Sequence, residues 1–407
     1  MSAQNPSFIR MSSSEKLMPQ EELLMTKVKK ENFTIGIPKE TVLQEVRVSL
    51  VPSAVALLTE NGHRIRVERG AGSKANFSDR EYAEAGAELF DSSAEIYQSD
   101  IVIKVAPPTI EEIALMKKRI ILISALHNRA QNRQYFKALM AKKITALSYE
   151  HINNSTNEHP ILHSISEIAG TTSILVAAHY LSLPNWGRGK MLGGFTGINP
   201  SEVVILGAGT VAESAARTAV GLGCLVKVFD NSITKLRRLK NNVNDRVFTS
   251  IIQPDVLSHS LKSADVVIGA LYIKNEYTMH VVSDEMVRDM KQGSIIVDVS
   301  IDRGGCFETS KPTNHLDPVY QIHGVTHYCV PNISARTPHT ASYALSNYFA
   351  PFILDLSNAG GIAQLLVEEQ GIRKGIYLYN GKLTFSRIAE RFKLSFQDLN
   401  LLLATFR

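Results

Sequence analysis

Short runs of β-branched and aliphatic residues alternate with longer stretches of helical spacing along most of the chain, the pattern of parallel sheets built from βαβ units. Two such sheets are predicted. The first takes strands at residues 34–37, 64–68, 100–105, 120–126 and 145–149, with helices near 53–61, 79–87 and 132–142. A helical stretch at 166–183 and a glycine-rich passage at 187–197 separate it from the second, whose strands fall at 202–206, 225–229, 247–250, 266–270, 294–299 and 327–330. Beyond Thr340, the apolar stripe Leu345, Phe349, Phe352, Ile353 and Leu356 predicts a long helix that ends at Gly360 and Gly361 and returns to the first sheet. Asn380-Gly381 between two apolar runs predicts a tight hairpin.

Charge and composition narrow the class without naming it. The chain has 407 residues, enough for two to three folding units, and is 44% hydrophobic and 20% charged, a globular profile. A formal charge of +5 is too dilute for a nucleic-acid footprint but suits small anions. Three cysteines, with no CxxC pair, point neither to a zinc ribbon nor to a disulfide framework. No secretory or membrane segment is expected, so the reading is a cytoplasmic protein. Residues 1–31 are expected to form a loose tail and a short helix from Pro19 to Lys30, acidic in its first turn and basic in its last.

One passage carries specific chemistry. The strand at 202–206 runs into Gly207-Ala208-Gly209-Thr210-Val211-Ala212, a G-x-G-x-x-A turn that opens a helix, and the next strand ends in Asp230. In such a turn Gly207 allows the bend, Gly209 admits a pyrophosphate to the backbone, and Ala212 lets helix and strand pack closely. Asp230 is positioned to accept from ribose hydroxyls and to repel a 2′-phosphate, which selects NAD over NADP. Ligands of wound sheets sit beyond the carboxyl ends of strands, where the sequence places Arg47, Lys104 and His127 in the first unit and Asp302 in the second. Arginine suits a bidentate hold on a carboxylate, lysine polarises a carbonyl, and histidine with aspartate exchanges protons near neutral pH. Each also has a plainer role: Arg47 a solvated loop cation, His127 a helix cap, Asp302 a brace for the Gly304-Gly305 turn.

The opening Ile35-Gly36-Ile37-Pro38-Lys39-Glu40 with Arg47-Val48, Ser166-Glu167-Ile168-Ala169-Gly170, the turn at Gly207, Asp298 to Glu308 and His327 to Asn332 resemble the alanine dehydrogenase and transhydrogenase nucleotide-binding subunit family. The resemblance runs from residue 33 to residue 392. It implies two Rossmann-like doubly wound α/β domains with parallel sheets, joined by long helices: a substrate domain from 32–160 and 340–407, and an NAD-binding domain from 161–339. It implies oxidation of L-alanine with NAD and water to pyruvate, ammonium and NADH, a small-molecule substrate and a homo-oligomer, often a hexamer. By position, Arg47 takes the substrate carboxylate, His127 exchanges protons, and Asp302 activates water beside the nicotinamide. Ser166, Asp230 and Asn332 contact cofactor. The chain departs from the family in one place. The family's substrate-binding lysine is the second of a Lys-Val-Lys-Glu-Pro segment, and here the segment reads Lys104-Val105-Ala106-Pro107-Pro108. Lys104 then starts one pleat back from the expected position. Three functions follow: an alanine dehydrogenase in which Lys104 or another cation compensates, a dehydrogenase for another 2-oxo acid or imine, and an NAD(H)-binding regulator without turnover.

Overall fold

The computed structural model describes residues 30–42, 44–126, 131–154, 156–243, 246–271 and 280–404. The opening helix at 19–30 and His127 therefore lie outside the described residues, Lys30 alone excepted. Two sheets form, each with helices on both faces. The first contains β1 (Thr34–Ile37), β2 (Arg64–Glu68), β3 (Glu88–Phe90), β4 (Ile101–Ile103), β5 (Ile121–Ser124) and β6 (Thr145–Ser148). The second contains β7 (Glu202–Leu206), β8 (Leu225–Phe229), β9 (Val247–Ser250), β10 (Val266–Gly269), β11 (Ile295–Asp298), β12 (Val319–Ile322) and β13 (Val325–Tyr328). The chain then returns to the first sheet with β14 (Ile376–Tyr379) and β15 (Lys382–Leu383).

Strand order explains where ligands can sit. The first sheet runs β15-β14-β6-β5-β4-β1-β2-β3 and the second β12-β13-β11-β10-β7-β8-β9. In the first, β1 is followed outward by β2 and β3, while β4 returns to its other side; in the second, β7 is followed by β8 and β9 before β10 returns. Each sheet thus has a switch point, β1/β4 and β7/β10, where successive connections leave toward opposite faces and open a crevice at the strand ends. Alternate strand residues divide between two cores: Val203 and Ile205 pack on one face of β7, Val204 and Leu206 on the other. Ile101 and Ile103 of β4 likewise oppose Val102. Burial on both faces is why these strands read as unbroken apolar runs.

Two long helices join the units. Pro160–Ser182 places Ile161 in the first core and Ala169, Ile174, Val176, Ala177, Tyr180 and Leu181 in the second, while Leu175 stays exposed. Pro338–Asn358 carries Leu345, Phe349 and Ile353 back into the first core, as the stripe predicts. The Asn380-Gly381 turn has positive φ at both residues, 49° and 78°, the geometry of a type I′ hairpin. Three expectations need correction. The last parallel strand is Val325–Tyr328, two residues earlier than read, and Val319–Ile322 pairs antiparallel with it. Glu88–Phe90 forms an outer strand that three residues were too few to signal. The joining helix begins at Pro160, whose fixed φ suits a first helical turn, rather than at Ser166.

Candidate functional site

The second switch point is built around Gly207. It ends β7 with φ +110°, and a Cβ there would lie 2.4 Å from the Ala270 carbonyl oxygen at the end of β10. Only glycine fits that approach. Gly209 differs: its φ is −85°, and a Cβ would meet nothing within 4 Å, so the space in front of it is open. It caps the helix Thr210–Gly221, whose first N–H groups face that space, and Ala212 is fully buried behind it. Asp230, at the end of β8, accepts from Ala208 N at 2.8 Å and from Ser232 N at 2.7 Å. One bond per oxygen leaves lone pairs for further donors. A glycine cradle with open space, a helix N-terminus and an aspartate on the neighbouring strand together fit a dinucleotide. Ser166 is half-buried on the joining helix, one turn before Gly170, where that helix presses on Val211 of the glycine turn's own helix.

The first switch point carries a chain of buried charges. Arg47 is 6% exposed, and Glu45 takes its Nε at 2.7 Å and its Nη2 at 2.6 Å. The Nη1 group donates to Ser334 Oγ at 3.4 Å, from the second unit. Asn332 Nδ2 also reaches Glu45, at 3.2 Å, and Gln44 Oε1 accepts from His315 N at 2.8 Å. These bonds close a seam between the units. Burial raises the Glu45 carboxyl, but the charge and donors of Arg47 outweigh it and hold Glu45 below the ordinary carboxylate range. Burial likewise disfavours the charged guanidinium, and Glu45 more than restores it. Asn332 itself adopts a left-handed conformation, φ 55°, which asparagine tolerates, and accepts from Ser334 Oγ at 3.0 Å.

Lys104 is placed differently from Arg47. Its side chain is fully buried, 2.7 Å from Glu112 and 3.7 Å from Glu40, so the structure engages its ammonium inside the first unit instead of opening it to a ligand. Glu112 also accepts from Thr41 Oγ1 and, through a capping box, from Thr109 N. Glu40 accepts from Val105 N at 2.6 Å and Ala106 N at 3.4 Å. Ala106 is buried, at 7% exposure.

Burial pushes Glu40 up to about 7, with Lys104 opposing and Glu45 adding to the rise. Because its folded pKa is raised, folding takes up a proton between about 4.5 and about 7, and the stability present below that window is lost as pH rises through it. The wild-type protein is therefore expected to lose about 3 kcal/mol relative to Glu40→Gln across that range. Urea midpoints of both proteins from pH 4.5 to 8 check this; parallel curves would remove Glu40 as the cause.

Asp302 is exposed on the turn Ile301–Arg303 that follows β11. Asp298 braces the glycine turn at 304–305, accepting from Cys306 N at 2.8 Å, Ser300 N at 3.1 Å and Ser310 Oγ at 2.6 Å. The helix Arg133–Ala141 is capped without a histidine: Asn132 accepts from Tyr135 N at 3.0 Å. Sequence reasoning missed Glu40, Glu45, Glu112, Asp298 and Ser334. A signal existed for Glu45 alone, since residues two apart in extended chain share a face and Glu45 precedes Arg47 by two. The partners of the others are separated by loops or by a whole domain.

Two wound sheets joined by long helices, one with a glycine turn at its switch point and the other with a seam-lining arginine, define a two-domain α/β protein of the dinucleotide-binding class. The family description "Alanine dehydrogenase/PNT, N-terminal domain" matches residues 36–169, and "Alanine dehydrogenase/PNT, C-terminal domain" matches residues 173–386. An alanine dehydrogenase of Mycolicibacterium smegmatis is 36% identical over 371 residues, which cover 91% of this chain and 100% of the relative. One of Methanococcus maripaludis is 38% identical over 364 residues, covering 89% and 97%. A solved L-alanine dehydrogenase superposes with a TM-score of 0.83 at 37% identity, covering 88% of this chain and 99% of its own. A transhydrogenase from Sinorhizobium meliloti shares the fold, with a TM-score of 0.73 at 23% identity over 86% and 98% of the two chains. The chain belongs to the alanine dehydrogenase/PNT family.

Proposed function

We propose that the protein is an NAD-dependent alanine dehydrogenase, converting L-alanine, NAD and water reversibly to pyruvate, ammonium and NADH. The observation that carries this reading is the pairing of the two switch points: the open glycine cradle at Gly209 in one unit, and in the other an arginine whose loop is tied across the seam to Asn332 and Ser334. Relatives 36–38% identical over about nine-tenths of the chain are alanine dehydrogenases, which supports the substrate. Gly207, Gly209, Ala212 and Asp230 would hold the adenosine diphosphate half of NAD, with Ser166 and Asn332 contacting the cofactor further along. The chemistry that NAD supplies when bound is acceptance of a hydride from the substrate's α-carbon.

The protein's own residues do the rest. Glu45 grips the Nε/Nη2 edge of Arg47 and so points the remaining Nη1/Nη2 edge, the side that also reaches Ser334, at a substrate carboxylate. His127 exchanges protons with the substrate nitrogen and oxygen, and Asp302 orients water. The reading includes a cytoplasmic homo-oligomer, a hexamer by family resemblance, without nucleic-acid or membrane partners. The exposed apolar Met191, Phe195 and Ile198 are consistent with subunit contact.

Ala106 and the burial of Lys104 between Glu112 and Glu40 favour a second reading, an NAD(H)-binding protein that does not turn alanine over. Absorbance assays separate the two. L-alanine with NAD should form NADH, and pyruvate with ammonium should consume it. NADH binding with neither reaction, and turnover restored by Ala106→Lys, would select the second reading.

A further inference from the structure

By position in the chain, Lys235, Arg237 and Arg238 follow Asp230 at a distance, and none is adjacent to it. The fold reverses that for one of them. The helix Ile233–Val243 follows β8 and packs against the helix that the glycine turn opens, and Arg238 Nη2 donates to the Ala208 carbonyl oxygen at 3.4 Å. Asp230 Oδ2 accepts from the N–H of that same residue at 2.8 Å. A carboxylate and a guanidinium thus flank Ala208, which lies between the two glycines of the cradle.

The bond to Ala208 does not use up Arg238. A guanidinium carries five N–H donors in a fork; Ala208 takes one, and the residue is otherwise exposed. Lys235, also exposed, stands one turn earlier on the same helix, at the i, i+3 spacing that puts two side chains on one face. Ser232, just before that helix, donates its N–H to Asp230 Oδ1 at 2.7 Å, which ties the helix start to the carboxylate. From the first unit, Glu158 lies within the field of Arg238, whose charge adds to the Asn154 and Thr156 bonds that hold the Glu158 carboxyl low. Arg238 therefore borders the opening between the units, where a dinucleotide on the Gly209 cradle would lie.

We infer that Arg238 lets this site take NADP(H) as a second cofactor, by pairing with the 2′-phosphate that Asp230 alone would repel. This goes beyond the NAD reading above and rests on the same cradle. In a Rossmann turn the acidic residue at the end of the next strand receives the ribose 2′-hydroxyl, and a nearby arginine accommodates a phosphate on that oxygen. This chain carries both. They act oppositely on one group: Asp230 sets a penalty of like charges, and Arg238, with Lys235 one turn away, offsets part of it. The site then prefers NADH without excluding NADPH. Because the bond to Ala208 already holds the guanidinium at the turn, little side-chain freedom is lost when the phosphate arrives.

Bracing the turn is the plainer task for Arg238, and the choice of cofactor separates the two. Fluorescence titration of NADH and NADPH against the wild-type protein, Arg238→Gln and Arg238→Lys reads binding without turnover. Wild type is expected to bind NADPH within about a hundredfold of NADH, whereas unrelieved repulsion would put the gap beyond about a thousandfold. Arg238→Gln should weaken NADPH by about tenfold to hundredfold more than it weakens NADH, the worth of a hydrogen bond to a charged group. Arg238→Lys keeps a point charge and should recover part of that difference. An equal change for both cofactors in Arg238→Gln, none included, would make the residue a brace at most and overturn the inference. NADH binding with no saturable NADPH binding in the wild type would also overturn it, and either result leaves the NAD reading standing. Binding of neither cofactor would overturn the NAD reading and the inference with it.

Discussion

Replacing Arg47 by methionine is expected to lower kcat/KM for L-alanine by two to three orders of magnitude and, separately, to destabilise the fold. The first effect follows from losing the guanidinium that the proposed function assigns to the substrate carboxylate. Truncating one partner of a buried, hydrogen-bonded charge contact costs about 2 to 5 kcal/mol, and each 1.4 kcal/mol is tenfold in rate. The second follows from what remains. Glu45 is 5% exposed and would keep its charge in the seam without the guanidinium that compensates it. Leaving one member of a buried ion pair typically costs about 3 to 5 kcal/mol. The double variant Glu45→Gln/Arg47→Met separates the two roles: its urea midpoint should recover much of the loss while kcat/KM stays low. Recovery of both would assign Arg47 to the seam alone. Arg47→Lys should fall between, since an ammonium keeps the charge but cannot offer two parallel N–H groups to Glu45 and a third contact to Ser334.

The second large effect concerns the two glycines of the turn, which the structure assigns to different tasks. Gly207→Ala is expected to lose at least about 3 kcal/mol of stability, because φ +110° is outside the range of L side chains and the new Cβ would stand 2.4 Å from a backbone oxygen that cannot move without β10. Gly209→Ala should stay within about 1 kcal/mol of wild type, since its φ is ordinary and the Cβ meets nothing. Its loss should be in NADH binding, by tenfold or more, because the methyl would occupy the approach of the pyrophosphate. Urea unfolding and NADH fluorescence titration of both variants check the contrast. A Gly209→Ala protein with undiminished NADH affinity would remove the cradle from the cofactor site.

These two sites differ in how much of them was legible along the chain. The glycine turn is local: strand, turn, helix and the following Asp230 lie within about thirty residues, and steric needs of the backbone dictate each residue type. The charged seam around Arg47 and Lys104 is not. Arg47 and Lys104 look equivalent in sequence, each a cation at a strand end, yet one faces the seam and the other is enclosed by Glu112 and Glu40. Which carboxylates stand beside a cation depends on loop paths that span 64 residues from Glu40 to Lys104 and on the second unit's turn at Asn332. The same limit applies to Asp298 and Asp302, four residues apart. Asp298, the end of a strand read as core, accepts the hydrogen bonds that brace the glycine turn.

The sequence alone determined the two wound sheets, the return of the chain to the first of them, the hairpin at Asn380-Gly381 and the dinucleotide turn. Each is encoded in apolar periodicity or in backbone stereochemistry, and both act over a few neighbouring residues. Only the tertiary structure decided that Glu45 orients Arg47 and that Lys104 is enclosed. Burial and charge pairing are properties of surfaces brought together from distant parts of the chain, and the free energy of a buried charge depends on every neighbour that replaces water.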